Sequence, residues 1–178
     1  MRTSLHRGFT LIELLVTMTI GILLLLMAMP RMVLWVSDDQ IRVGAQSVYE
    51  GMRTAQAAAI SRNFNVQFVM GAGAWTVQMA NPPNTVLQTT PFIEGSRDVT
   101  FTAAAVGGAA ATTVTFNPLG QVIADVNNIA KVDVTLPSVA GTRPLRVIVG
   151  NLSAGTTFYG VKLCDPAFAA ANDPKGCP

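Results

Sequence analysis

The run FTLIELLVTMTIGILLLLMAMP, Phe9–Pro30, limits this chain more than any other stretch. Sixteen of its 22 residues are apolar, and Glu13 is its one charge. About 20 apolar residues in helical form cross a hydrocarbon layer of about 30 Å. The preceding segment, MRTSLHRG, carries Arg2 and Arg7 and no acid. That basic flank sets the N-terminus on the cytoplasmic side and residues from 31 onward on the far side. The chain has 178 residues and no second run of this kind. One span and one ordinary domain is therefore the expected organisation. A conventional cleaved secretory signal would need a small-x-small site after the run, and Ala28-Met29-Pro30 fits that poorly.

Glu13 sets the next constraint. A carboxylate inside a spanning helix costs about 2.5–3.5 kcal/mol on insertion scales, and such a group usually has a specific partner. Position alone allows two readings. If the chain is cut between Gly8 and Phe9, the new amine on Phe9 of one subunit neutralises Glu13 of a neighbour. Otherwise the carboxylate sits near the headgroup boundary, hydrated and without a partner.

Arg7-Gly8-Phe9-Thr10-Leu11-Ile12-Glu13 resembles the class III signal of type IV pilins and type II secretion pseudopilins. The resemblance implies cleavage by prepilin peptidase after Gly8, N-methylation of Phe9, and a filament-docking role for Glu13. It also implies the chain's partners: prepilin peptidase, an inner-membrane assembly platform, and other major and minor pilins in a filament hetero-oligomer. Pro30 is similar to a helix-breaking proline of such filament helices. It removes a backbone donor, so a kink or local melting is expected there.

The helix is expected to continue over residues 31–62. Ile41, Ala45, Val48, Met52, Ala55 and Ala59 recur at spacings of 4 and 3. At 100° per residue they form one apolar stripe about 80° wide, suited to lying on a sheet. Arg31, Arg42 and Arg53 align beside it, and are expected to be a solvated face with Asp38–Arg42 and Glu50–Arg53 pairs. From Phe64 the period changes to two. Phe64, Val66, Phe68 and Met70 alternate with polar positions, and after Gly71–Ala74 the alternation returns through Trp75, Val77 and Met79. Further strands are expected at 85–90, 98–102, 112–116, 122–125, 131–136, 145–149 and 156–163. The Ala/Gly stretch 103–111 is expected to be a mobile loop, too small-sided to pack. Phe92, Phe101, Phe116 and Phe158 read as core residues.

Phe116-Asn117-Pro118-Leu119-Gly120 carries turn chemistry: Pro118 pre-sets φ and Gly120 accepts a positive one. It resembles the F-N-P-x-G turn of the GspH/FimT family of minor pilins and pseudopilins. That resemblance implies an α+β, type IV pilin-like fold: a long N-terminal helix, half transmembrane and half amphipathic, packed on a mostly antiparallel β-sheet domain. The expected segments are a leader at 1–8, a transmembrane and filament-core helix at 9–30, its amphipathic continuation at 31–62, a β-rich periplasmic domain at 63–163, and a disulfide loop at 164–178.

Cys164 and Cys177 are the two cysteines. On the far side of the membrane an intramolecular disulfide is the simple assignment. A metal site would need more ligands, and a redox pair more often has C-x-x-C spacing. Leu163-Cys164-Asp165-Pro166, closed by Cys177-Pro178, resembles the C-terminal loop of FimT-type minor pilins, which inclines the expectation toward a type IV pilus.

No catalytic constellation is expected, nor any cofactor or metal. The one histidine, His6, lies in the leader, which leaves the rest without the commonest general base. Asp125 and Asp133 read as solvated carboxylates. The expected function is a structural one, a minor pilin for pilus assembly or a tip complex, in the inner membrane and then in the pilus. Two alternatives stay open: a GspH-like minor pseudopilin of type II secretion, and a DNA-binding minor pilin for natural transformation. FimT-like DNA receptors use a G-R-x-R motif, and the matching Tyr159-Gly160-Val161-Lys162 keeps only Lys162 as a cation. Arg143, Arg146, Lys162 and Lys175 are the candidate phosphate contacts. The formal charge of +2 argues against a bulk basic surface, since Arg2 and Arg7 supply it: beyond residue 8 the balance is 12 − 2 = 10 basic residues against ten acids.

Overall fold

The computed structural model describes residues 9–92, 96, 98–125, 127–150, 160–169 and 174–177. Gly8, the Phe158 position and residues 156–159 of the last expected strand lie outside the described residues.

Helix α1 spans Leu11–Arg62, 52 residues. Thr10 starts it: its Oγ1 accepts the Glu13 amide at 3.3 Å and its carbonyl accepts the Leu14 amide at 3.2 Å. Asn63 ends it with φ at 52°, in the left-handed region. The chain then turns back, with Asn63 N donating to Ile60 O and Phe64 N to Ala59 O. These two bonds satisfy carbonyls that the last turn would otherwise leave open. The local melting expected at Pro30 does not occur, and α1 runs unbroken through it. A single proline removes one ladder bond, and the helical turns on either side retain theirs.

The chain divides into two units, Met1–Val36 and Ser37–Pro178. The first contains the helical part that is apolar and exposed. The second contains the rest of α1 and two sheets. Strands β1 (Val66–Met70), β2 (Ala74–Met79), β3 (Val86–Pro91) and β5 (Thr113–Phe116) form a sheet ordered β3-β2-β1-β5, with β4 (Thr100–Ala104) set elsewhere in the chain order. The second sheet is ordered β4-β6-β7-β8-β9, with β6 (Lys131–Thr135), β7 (Leu145–Val149), β8 (Val161–Ala169) and β9 (Gly176–Cys177). Every pairing is antiparallel except the short β8–β9 contact.

The period-two reading explains the register. Phe68 stands opposite Val77 and Val114, and Met70 opposite Trp75, so the inward-facing residues of neighbouring strands coincide. The helical stripe Ile41, Ala45, Val48, Met52, Ala55 and Ala59 is fully buried against them in one core. Two glycines of α1 make the close approach possible. A Cβ on Gly51 would lie 2.8 Å from the Phe68 ring and 3.0 Å from Trp75, and one on Gly44 would lie 3.0 Å from Phe101. Seven residues apart, they sit on one side of the helix and admit rings from both sheets.

Several expectations need correction. Residues 122–125 make no strand; Val122 forms one isolated bridge to Phe116. The Asn128 side chain donates to Ile123 O at 2.7 Å, so a polar side chain takes the place of a ladder partner. Residues 103–111 do pack. Ala104 bridges Ala110, Ala105 N donates to Ala109 O at 2.8 Å, and Ala105 and Ala111 are buried. Their small side chains let the backbone fold tightly on itself. Residues 164–169 belong to β8 and not to a loop.

Candidate functional site

The largest exposed feature is the first unit. Apolar side chains from Phe9 to Val36 stand in the open, including Leu11, Ile12, Leu24, Leu25 and Trp35. Among the described residues α1 is the one helix long and apolar enough to cross a membrane. Its hydroxyls are turned inward: Thr17 Oγ1 donates to Leu14 O at 2.9 Å, and Thr19 Oγ1 to Leu15 O at 2.7 Å. Side chains that close their bonds on the helix itself suit a lipid or helix–helix environment.

Glu13 is exposed, and its carboxylate has no partner among the described residues. Thr10 and Glu13 stand at T-x-x-E spacing, the arrangement of a capping box, and the Thr10 half is formed. That spacing is visible in the sequence itself. Both roles are compatible, since the cap uses the Glu13 amide and leaves the carboxylate for another chain. Phe9 precedes the helix and is exposed.

The turn at 117–120 is held from two directions. Asn117 Oδ1 accepts the amides of Leu119 (3.0 Å) and Gln121 (2.9 Å), and Gly120 N donates to Asn117 O at 2.9 Å. Gly120 takes φ of 75°, and its carbonyl accepts Gln56 Nε2 from α1 at 2.7 Å. A Cβ at Gly120 would lie 2.7 Å from the end of Ile60. The turn is thus a strut between β5 and the helix, with Leu119 at its exposed tip. The docking onto Gln56 and Ile60 was not visible in the sequence, because the two segments lie 64 residues apart.

The four candidate phosphate contacts fare unevenly. Arg146 on β7 pairs with Asp133 on β6 at 2.5 Å, and Asp133 also meets Lys131 at 3.9 Å. Asp133 is therefore a cross-strand ion-pair partner and not a merely solvated carboxylate. Lys162 Nζ donates to Gly176 O at 3.0 Å, tying β8 to β9. Arg143 and Lys175 are exposed. Arg146 and Lys162 are thus occupied in holding strands together.

The arginines of α1 also differ from expectation. Neither Asp38–Arg42 nor Glu50–Arg53 forms an ion pair among the described residues. Asp38 Oδ1 instead accepts the Arg143 amide at 2.8 Å, and Arg53 donates to the Tyr49 hydroxyl at 3.1 Å with its guanidinium 5.8 Å from the ring centroid. Asp125 Oδ1 accepts the Asn127 amide, a local turn contact.

Cys164 and Cys177 form a disulfide with Cα atoms 5.1 Å apart and a sequence separation of 13. Asp165 N donates to Lys175 O at 2.8 Å beside it. The bond closes the tail onto β8, where Cys164 itself is buried. Replacing Cys164 by Ser is expected to lower stability by about 2–4 kcal/mol, because an open tail regains chain entropy on unfolding less restricted by the ring. Denaturant unfolding of the full chain in detergent measures the change, and an unaltered midpoint would contradict it.

Among the described residues no group of three or more His, Cys, Asp or Glu is placed to hold a metal ion. The arrangement offers surfaces and struts.

Comparison with known proteins adds two findings. The family described as "Prokaryotic N-terminal methylation motif" matches residues 3–29. The family described as "Type II transport protein GspH" matches residues 44–153, more than half of the chain. No curated protein and no solved structure matches it. The GspH match covers about the last third of α1, β1 to β7 and the 117–120 strut, and stops before the disulfide. With the methylation motif at its head and the helix-on-sheet fold behind it, the chain belongs to the type II transport protein GspH family.

Proposed function

We propose that the chain is a non-catalytic minor subunit of a pilin-like filament, of the GspH type found in type II secretion. The observation that carries the reading is the exposed apolar helix from Phe9 with an unpartnered Glu13 carboxylate, set directly behind a methylation motif. An apolar helix exposed on every side requires a covering environment. Lipid supplies it before assembly, and neighbouring helices supply it in the filament. In the membrane the N-terminus faces the cytoplasm and the β domain the periplasm. Prepilin peptidase cuts after Gly8, Phe9 is methylated, and its amine meets Glu13 of the adjacent subunit. An assembly platform and the other pilins are the partners this implies.

The family match over 44–153 supports a secretion filament. The Cys164–Cys177 ring, beyond the matched range and similar to that of FimT-type minor pilins, is the observation that favours a type IV pilus. Deleting the gene is expected to hold secreted enzymes in the periplasm and to leave surface pili intact. Loss of pili with normal secretion would establish the pilus reading instead. Mass spectrometry of the protein from peptidase-positive cells is expected to find an N-terminus at methylated Phe9, and an intact Met1–Gly8 would refute the processing step. DNA binding is the less supported reading, because Arg146 and Lys162 are engaged inside the fold.

A further inference from the structure

Exposed apolar residues on α1 do not end where the expected span ends. Met32, Val33, Leu34, Trp35 and Val36 follow Arg31, and all five are exposed, Trp35 at 72%. At 100° per residue these five point in every direction around the axis. A helical segment that is apolar all round needs to be buried. None of the five is buried, Leu34 being the most covered and Trp35 the least.

Phe9 to Val36 is 28 residues, or about 40 Å of helix, against a hydrocarbon thickness of about 30 Å. The bilayer therefore takes one portion of the run and leaves another. Two registers compete. A span from Phe9 to Met29 puts the Glu13 carboxylate about 6 Å inside the hydrocarbon, four residues deep. It also leaves the five apolar residues beyond Arg31 in headgroups and water.

A span from Leu14 to Trp35 is 22 residues with Arg31 as its one charge, about 32 Å long. It places Glu13 at the cytoplasmic boundary and Trp35 at the periplasmic one. Arg31 then lies one helical turn below that boundary, within reach of headgroup phosphates for a side chain of its length. Glutamate is too short to do the same from an equal depth. Four apolar residues lie outside this span, Phe9, Leu11 and Ile12 in the cytoplasmic headgroup zone and Val36 just beyond Trp35, against five beyond Arg31 in the first register.

The start of the helix points the same way. α1 begins at Leu11, and the first-turn amides of a helix have no intrahelical acceptor. Thr10 Oγ1 takes the Glu13 amide, and the amides of Leu11 and Ile12 still need water or headgroup oxygens. Only the second register leaves them in the hydrated zone.

We propose that the unassembled protein sits in the membrane with Leu14–Trp35 as its span, anchored at the periplasmic headgroup–acyl boundary by Trp35 and Arg31. The partner surface is the lipid of the outer-facing leaflet of that membrane. Entry into a filament then requires the helix to rise by about five residues, or about 8 Å, relative to this resting register. The proposal rests on the membrane-anchor reading above.

The test places the full chain in vesicles of phosphatidylethanolamine and phosphatidylglycerol and follows tryptophan emission. Trp75 is buried in the core and contributes a constant background. Subtracting the spectrum of Trp35→Phe isolates Trp35 without touching that core. Its emission is expected to shift to shorter wavelength on reconstitution, and to lose most of its intensity to lipids brominated near the headgroup. Bromines near the bilayer centre are expected to have little effect on it. A second reporter, Leu23→Trp in the Trp35→Phe background, is expected to be quenched by the deep bromines.

Water-like emission from Trp35 together with deep quenching of Leu23→Trp overturns the proposal and leaves the anchor intact. Quenching of Trp35 by the deep bromines overturns the register as well. Water-like emission from both reporters refutes the anchor and the proposal with it.

Discussion

Glu13→Val is expected to leave the protein inserted in the membrane and processed, and to reduce its presence in the filament at least tenfold. The substitution removes a carboxylate that has no partner among the described residues of its own chain. Folding of the second unit should not register the change, because Glu13 lies in the first. Valine is tolerated at the membrane boundary and in the hydrocarbon at least as well as a carboxylate, so membrane retention should not fall. The loss must then appear at assembly, where the amine of Phe9 on the adjacent subunit loses its counter-charge. Fractionation of cells into membrane and sheared filaments, with quantitation of the mature chain in each, measures both sides of this expectation. Normal incorporation would show that the amine–carboxylate pairing is dispensable. Glu13→Gln separates charge from polarity: it should fail as Val does if charge is what matters, and it keeps the helix start, since Thr10 accepts an amide and not the side chain.

The parts of the fold that were legible in the sequence are those governed by local periodicity. The stripe Ile41 to Ala59 and the alternation Phe64 to Met79 each repeat one rule several times. The stripe is buried throughout, and of the alternation Val66, Phe68, Met70, Trp75 and Val77 are buried while its ends, Phe64 and Met79, are half-buried. Residues 122–125 show where the rule fails. Their Val-Ile-Ala run reads as a short strand, but the strut at 117–120 and the Asn128 side chain leave them a single bridge. Residues 103–111 fail in the opposite sense. Alanine carries little hydrophobic signal, yet close backbone approach buries Ala105 and Ala111. The tail is not legible in the sequence because strand β8 continues through Asp165 and Pro166, and a proline within a run reads as the end of a strand. For the candidate site the N-terminal motif was legible as adjacent residues, while the engagement of Arg146 and Lys162 was not. Their partners, Asp133 and the Gly176 carbonyl, are 13 and 14 residues away and meet them only once the strands pair. No described residue pairs with the Glu13 carboxylate or covers the exposed helix, so no periodicity within the chain could name a partner for either.

Gly51→Val is expected to destabilise the folded unit by about 3 kcal/mol or more, the largest effect of any single added side chain considered. The direction is opposite to ordinary helix chemistry, in which glycine at an interior helical position costs about 1 kcal/mol relative to alanine. At Gly51 that propensity gain is outweighed by contact. An added Cβ lies 2.8 Å from Phe68 Cε2 and 3.0 Å from two atoms of the Trp75 ring. Neither ring can retreat readily. Phe68 is fully buried, its centroid lies 5.8 Å from that of Trp75, and the Trp75 indole is fixed by donation to Ser47 Oγ at 2.9 Å. Either α1 lifts from the sheet, which opens the stripe of Ala45, Val48, Met52 and Ala55 beside it, or the rings leave their rotamers. Gly51→Ala should follow the same sign with a smaller loss of about 1–2 kcal/mol after the propensity gain is subtracted. Gly73→Ala is the control: nothing lies within 4 Å of its added Cβ, and the change should stay within about 0.5 kcal/mol. Thermal or denaturant unfolding followed by Trp75 fluorescence reads all three. A Gly51→Ala protein more stable than the parent would mean that the helix does not approach the sheet this closely. The glycine would then be a tolerated weakness of the helix and not the opening that lets two aromatic rings meet its backbone.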